Sequence, residues 1–218
     1  MYRRALVDPL VLESDFESHE DINSVEQIAK DLSHIETMRD FWKYNDQTTS
    51  ETDDGVVLNK LKVLWTYTKN KWGANLRDRE KLYPIFKELN RLVGGKDYPI
   101  AYRRVVVPEV YGKKFLSLNF VPEMPLSPKV EQVLENLAYG LRSWSSIPFR
   151  PQSLFREKQE FVIFVYKNPD VVLDGDTFIQ RTQYYGSIVQ YELVLFVKNP
   201  KILNVQQFKN VFLVTITD

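Results

Sequence analysis

The sequence predicts an α+β fold, in which a helical N-terminal part is followed by a β-hairpin, one helix and a C-terminal antiparallel β-sheet. Helical spacing of apolar residues dominates up to about residue 95, and β-branched and aromatic runs dominate after it. One phrase occurs twice, at 161–169 and 193–200, as an apolar run that ends in Asn-Pro. Proline removes a ladder donor, so each copy predicts a strand followed by a turn. Because helical and extended segments are segregated, alternating βαβ units are not expected.

Residues 1–20 are predicted to form an irregular N-terminal arm, because they combine an acidic stretch with one short apolar patch. Helices are predicted over 22–42 and 57–72, where apolar residues recur at three- and four-residue steps. The polar segment 45–55 predicts a loop between them.

A third helix is predicted to end at Val93, because Gly94-Gly95 is a typical helix stop and Pro84 suits a first turn. Residues 21–95 therefore form the predicted helical region.

The region 96–218 is predicted to be rich in β-structure and to pack with the helices as one unit. Strands over 98–107 and 114–121 would form the β-hairpin, and Ser127-Pro128 predicts the start of a helix over 128–144. Further strands are predicted at 178–185, 186–197 and 210–217, with Asp174-Gly175 as a hairpin turn.

Composition limits the kinds of chemistry available to the chain. It has 218 residues with no cysteine and two histidines, which excludes disulfides, zinc-thiolate sites and thiol catalysis. A reducing, cytoplasmic location is therefore predicted. No run approaches the roughly 18 apolar residues of a membrane helix, so no membrane partner is expected.

The residue pattern predicts that the chain is not an enzyme, with no catalytic residue, no cofactor and no metal. His19 and His34 do not have the spacing of a metal-binding motif such as His-Glu-x-x-His, and Gly94-Gly95-Lys96 lacks the spacing of a phosphate-binding loop. One alternative remains open, a metal-dependent enzyme that uses only carboxylates. Its candidate ligands are Asp53, Asp54, Asp174 and Asp176.

A second alternative is a nucleic-acid-binding module on the hairpin 98–115, where basic and aromatic residues interleave. Stacking on bases and contacts with phosphates use such a combination. The candidate contact residues, for nucleic acid or an acidic partner, are Tyr102, Arg103, Arg104, Tyr111, Lys113 and Lys114.

Local charge favours a structural or assembly subunit of a large complex, such as a virus or phage particle. Residues 1–60 hold 14 acidic against 6 basic side chains, and residues 61–118 hold 5 against 13. Unlike patches on one molecule favour head-to-tail contacts. The predicted partners are therefore copies of the chain or neighbouring subunits, and the predicted location is the cytoplasm or a virion.

Overall fold

The computed structural model describes residues 19–47, 50–51, 57–58, 80, 82–149, 159–182 and 191–218. Its helices are α1 (His19–Ser33), α2 (Met38–Gln47), α3 (Tyr83–Val93), α4 (Phe115–Asn119), α5 (Pro128–Ala138) and α6 (Gly175–Thr182). Its strands are β1 (Ser50–Glu51), β2 (Val57–Leu58), β3 (Ile100–Val106), β4 (Gly140–Ser145), β5 (Phe161–Lys167), β6 (Val171–Asp174), β7 (Glu192–Val197), β8 (Lys201–Phe208) and β9 (Val211–Thr217). The predicted α+β class is confirmed.

The larger sheet has seven strands, in the order β6-β7-β4-β3-β5-β9-β8, and β1 pairs with β2 separately. Strand β3 is antiparallel to both β4 and β5, and β8 is antiparallel to β9. Strand β5 pairs with β9 in parallel, so the sheet is mostly rather than wholly antiparallel.

The described residues divide into two compact units. One contains 97–170 and 195–218, and the other contains the described residues up to 96 together with 171–194. The sequence-based division into 1–20, 21–95 and 96–218 stays a prediction. None of the described helices is both long and apolar enough to cross a membrane.

In the first unit, β5 is the most deeply buried strand. Four of its first five residues and Tyr166 are buried, which is typical of a strand covered on both faces. One face packs Phe161 and Ile163 against Val211 of β9. The apolar run at 161–169 therefore contains a strand, as predicted, and the structure places that strand inside the sheet.

In the second unit, α3 buries Ile85, Phe86, Leu89 and Val93 along one face. It ends as predicted, because Gly94 adopts a left-handed φ of 67° that glycine reaches without strain. Arg91 of α3 donates to the carbonyls of Leu32 (3.1 Å) and Ile35 (2.8 Å), which satisfies acceptors at the end of α1.

The predicted first helix is divided in the structure into α1 and α2. Thr37 begins α2, since its hydroxyl accepts from the Asp40 backbone N–H at 3.2 Å. The Tyr44 hydroxyl donates to Asp31 Oδ2 at 3.0 Å, and burial, followed by that carboxylate, raises the pKa of Tyr44. The predicted arm 1–18 and most of the predicted helix 57–72 lie outside the described residues.

The predicted β-hairpin is wrong in its second strand. The first strand is β3, but residues 115–119 form helix α4. The carboxylate of Glu160 accepts from the backbone N–H groups of Leu116 (2.8 Å) and Ser117 (2.7 Å), and so caps this helix. A residue 44 positions away therefore decides the local conformation.

Two further predicted boundaries are wrong. The helix predicted over 128–144 begins at Pro128 but ends at Ala138, and Gly140, with a φ of 95°, begins strand β4. The predicted Asp174-Gly175 hairpin is the junction between β6 and α6, so the strand predicted from 178 is a helix.

Candidate functional site

Arg103 occupies the middle of β3, between the neighbouring strands β4 and β5. It is half-buried, and its direct partner on β5 is Phe164. Directly paired residues of antiparallel strands share one face of a sheet, so Arg103 shares a face with a fully buried ring. Arg103 Nη1 also donates to the Ser143 carbonyl of β4 at 3.4 Å. A permanently charged guanidinium thus lies on a largely aromatic surface.

Trp144 completes this face from β4. Its ring centroid lies 5.6 Å from that of Tyr166 and 6.3 Å from that of Phe164, both on β5. The indole therefore passes over β3, where Ala101 is the direct partner of Tyr166. Because Tyr102 pairs with Ser145, Arg103 comes opposite Trp144, and the two side chains share this face of the sheet. We call Arg103, Trp144, Phe164 and Tyr166 the arginine–aromatic face.

Arg104, the next residue, lies on the opposite face of the sheet because side chains alternate along a strand. Its guanidinium carbon lies 5.9 Å from the centre of the Phe149 ring, and its direct partner on β5 is Ile163. The two adjacent arginines therefore have different surroundings.

The structure does not bring the six predicted contact residues onto one surface. Tyr102 and the two arginines belong to β3, whereas Tyr111 ends a 3-10 turn and packs against Phe115, with 5.5 Å between the ring centroids. Lys113 and Lys114 are exposed beside α4, and Lys114 has a left-handed φ of 55°. The interleaved basic and aromatic hairpin does not form, because its second strand is helical.

Three carboxylates are buried among the residues that the structure describes: Glu160, Asp174 and Glu192. Glu160 caps α4 and also accepts from the Ser117 hydroxyl at 2.5 Å. Asp174 accepts from Thr177 Oγ1 (2.6 Å) and from the backbone N–H groups of Thr177 (3.3 Å) and Lys96 (3.1 Å). These contacts give Glu160 and Asp174 structural roles at helix starts.

Glu192 is the third buried carboxylate, 8% exposed, and it begins β7. It precedes a run of buried apolar residues, an uncommon place for a charged side chain.

The open alternative of a carboxylate metal site gains no support in the described part of the chain. No group of three possible His, Cys, Asp or Glu ligands is found there. Asp176 accepts from the Tyr191 backbone N–H at 2.7 Å, which gives it a structural contact. Asp53 and Asp54 lie outside the described residues.

The hydroxyl of Tyr166 lies at one end of the arginine–aromatic face. Burial, followed by the negative charges of Asp218 and Asp170, raises the pKa of Tyr166 to about 12. Its hydroxyl also hydrogen-bonds Asp218, whose Oδ1 accepts from the Asn199 backbone N–H at 2.6 Å. The neutral phenol is therefore positioned by the Asp218 carboxylate, which is itself positioned by the Asn199 backbone N–H.

Sequence reasoning found Arg103 but missed its neighbours. The helix predicted over 128–144 includes Trp144, because residues 130–141 show a helical period that conceals the strand after Gly140. Glu192 carried a usable signal, because an acidic residue directly before a five-residue apolar run is unusual. Phe164 and Tyr166 belong to a predicted strand, but the sequence does not predict which strands pair with it.

Comparison with known proteins finds similarity to solved structures only. No family model matches the chain, and no curated protein matches it. One similar structure is the Vis toxin, an ADP-ribosyltransferase from Vibrio splendidus, at 12% identity and a TM-score of 0.34 over 94% of this chain and 88% of that one. Another is Plx2a, an ADP-ribosyltransferase toxin from Paenibacillus larvae, at 14% identity and a TM-score of 0.30 over 90% and 96%.

Vis in complex with agmatine also aligns, at 13% identity and a TM-score of 0.33, over 94% of this chain and 87% of that chain. All of these aligned proteins are enzymes. This finding contradicts the prediction of a non-enzymatic assembly subunit of a virion, and with it the prediction that the chain is not an enzyme.

Proposed function

We propose that this chain is an enzyme that binds a phosphorylated substrate through Arg103 and transfers an ADP-ribosyl group from it. The observation that carries the proposal is the position of Arg103, half-buried on β3 beside Phe164 and Trp144. The reaction is the one named for the aligned Vis and Plx2a structures.

Arginine suits this role for a physical reason. Its guanidinium stays charged at any working pH, and its planar set of donors matches the oxygens of a phosphate. An aromatic surrounding lowers the local dielectric, which strengthens the attraction to an anion. NAD, the usual ADP-ribosyl donor, carries a pyrophosphate that such a site would bind. The surrounding rings offer a surface for an adenine or nicotinamide ring to stack on.

The chemical step needs a carboxylate. The bond between the ribose C1′ and the nicotinamide nitrogen breaks, nicotinamide leaves with the bonding electrons, and positive charge develops on the ribose as in glycoside hydrolysis. A nucleophile of the acceptor then bonds to C1′ and loses its proton. We assign the stabilising carboxylate to Glu192, the buried carboxylate that begins β7.

The test is incubation of the purified chain with NAD, with and without agmatine as acceptor, since agmatine is bound in one of the Vis structures. Nicotinamide release and the mass of modified agmatine are measured. We expect both products, and a loss of about 100-fold or more in the rate of the Arg103→Lys variant, because lysine lacks the planar donor set.

Arg104→Lys is the matched control, since it makes the same change one residue away on the opposite face. Its rate is expected to stay within about threefold of the parent rate. Equal losses in the two variants, or no nicotinamide release by the parent chain, would overturn the proposal.

A further inference from the structure

The indole N–H of Trp144 is buried and has no hydrogen-bond acceptor in the part of the chain that the structure describes. Trp144 as a whole is only 3% exposed. Buried polar groups in folded proteins almost always have partners, and one that lacks a partner costs free energy. Such a donor calls for a functional explanation.

Two polar groups near Trp144 are already engaged. The hydroxyl of Ser145, the adjacent residue, donates to the Ile147 carbonyl at 2.9 Å and accepts from the Ile147 backbone N–H at 3.1 Å. The hydroxyl of Tyr166, whose ring contacts the indole, hydrogen-bonds Asp218. Both of these hydroxyl groups therefore already have partners in the described part of the chain.

The indole also lies beside the guanidinium that binds the substrate in our proposed function. One step along the antiparallel pairing from Tyr102 and Ser145, Arg103 comes opposite Trp144. The ring contact between Trp144 and Phe164, the direct partner of Arg103, agrees with that register. Two side-chain donors thus lie close together on one face of the sheet.

We propose that Trp144 is a positioning residue whose indole N–H donates to an oxygen of the ADP-ribosyl diphosphate bound at Arg103. This inference rests on the proposed function, since it takes the ligand from it. Because Nε1 is covered, the indole has to turn before a ligand oxygen can reach it, and that turn alters its contact with Tyr166. The fluorescence of Trp144 should therefore change when ligand binds.

Binding of ADP-ribose, measured by calorimetry, tests the inference without requiring turnover. Trp144→Phe keeps an aromatic ring but removes the N–H, and we expect its dissociation constant to rise about fivefold or more. Trp42→Phe makes the same change at a tryptophan of α2, outside the arginine–aromatic face, so it is the matched control and should stay within about twofold. Equal weakening in both variants, or no weakening in Trp144→Phe, would overturn the inference.

A second measurement covers the case in which Trp144→Phe does not fold. The parent chain, labelled with nitrogen-15, gives indole N–H signals from its four tryptophans. Substitution of Trp42, Trp65 and Trp72 by phenylalanine, one at a time, identifies the signal of Trp144 by elimination. A shift of that signal on addition of ADP-ribose is expected, and an unchanged signal in a chain that binds ADP-ribose overturns the inference.

The outcomes separate the two proposals. Loss of binding in Arg103→Lys with normal binding in Trp144→Phe leaves the proposed function standing and removes the role of Trp144. Weaker binding in Trp144→Phe, with no nicotinamide release by the parent chain, supports the indole contact and removes the transferase reaction. A parent chain that binds neither ADP-ribose nor NAD contradicts both.

Discussion

Glu160 and Arg103 belong to the same compact unit, but their charged groups differ in burial and in hydrogen-bond partners. Glu160 is 3% exposed, and its two oxygens accept from three donors of α4. Arg103 is half-buried on an aromatic face, with a contact of 3.4 Å to a backbone carbonyl. We propose that the enclosed charge of Glu160 serves folding and that the half-buried charge of Arg103 on the aromatic face serves ligand binding. Substitutions should therefore separate stability from activity.

The largest effect is expected at Glu192, the carboxylate assigned to chemistry. Glu192→Gln keeps the size of the side chain and removes its negative charge, so the rate of nicotinamide release should fall by about 100- to 10,000-fold. The melting temperature should change little. A variant that melts far below the parent chain, or one that keeps its rate, would place Glu192 with the structural carboxylates instead.

Glu160→Ala should lower the free energy of unfolding by about 2–4 kcal/mol, because three donors at the start of α4 lose their acceptor. Denaturant unfolding measures the loss. Glu109→Ala is the control, since Glu109 is exposed in the same unit, and its effect should stay within about 0.5 kcal/mol. Equal effects of the two substitutions would contradict the capping role of Glu160.

Asp174 makes the same kind of contact in the second unit, with longer hydrogen bonds. Asp174→Ala should lower the free energy of unfolding by about 1–2 kcal/mol, the usual range for the loss of a helix cap. Asp174→Asn keeps one acceptor oxygen and should lose less. The denaturant midpoint is expected to be highest for the parent chain, lower for Asp174→Asn and lowest for Asp174→Ala. The reverse order for the two variants would contradict the capping role of Asp174.

The smallest effect concerns Tyr166, at the end of the arginine–aromatic face. Its pKa is raised from 10.0 to about 12 in the folded chain, so the folded state keeps the phenolic proton where the unfolded state has lost it. The stabilising contribution is therefore complete below pH 10 and is lost as the pH rises towards about 12. Denaturant midpoints across this range should fall more steeply for the parent chain than for Tyr166→Phe, and parallel slopes would contradict the shift.

The sequence by itself determined the α+β class, the presence of strand β5 and the end of α3. An apolar run that ends in Asn-Pro favours a strand followed by a turn. Gly94-Gly95 after a helical run favours the end of the helix at that point. Location in the cytoplasm stays a prediction, because nothing in the fold bears on it.

Tertiary structure determined the conformation of the short segments and brought the residues of the site together. Residues 115–119 and 175–182 are too short for apolar periodicity to separate helix from strand, and Glu160 and Asp174 favour the helices through hydrogen bonds. The arginine–aromatic face draws on three strands that lie up to 66 residues apart, from Ile100 to Tyr166. The pairing of strands depends on the free energy gained when whole faces of the sheet are buried. That free energy is a property of the folded chain and not of any local stretch of sequence.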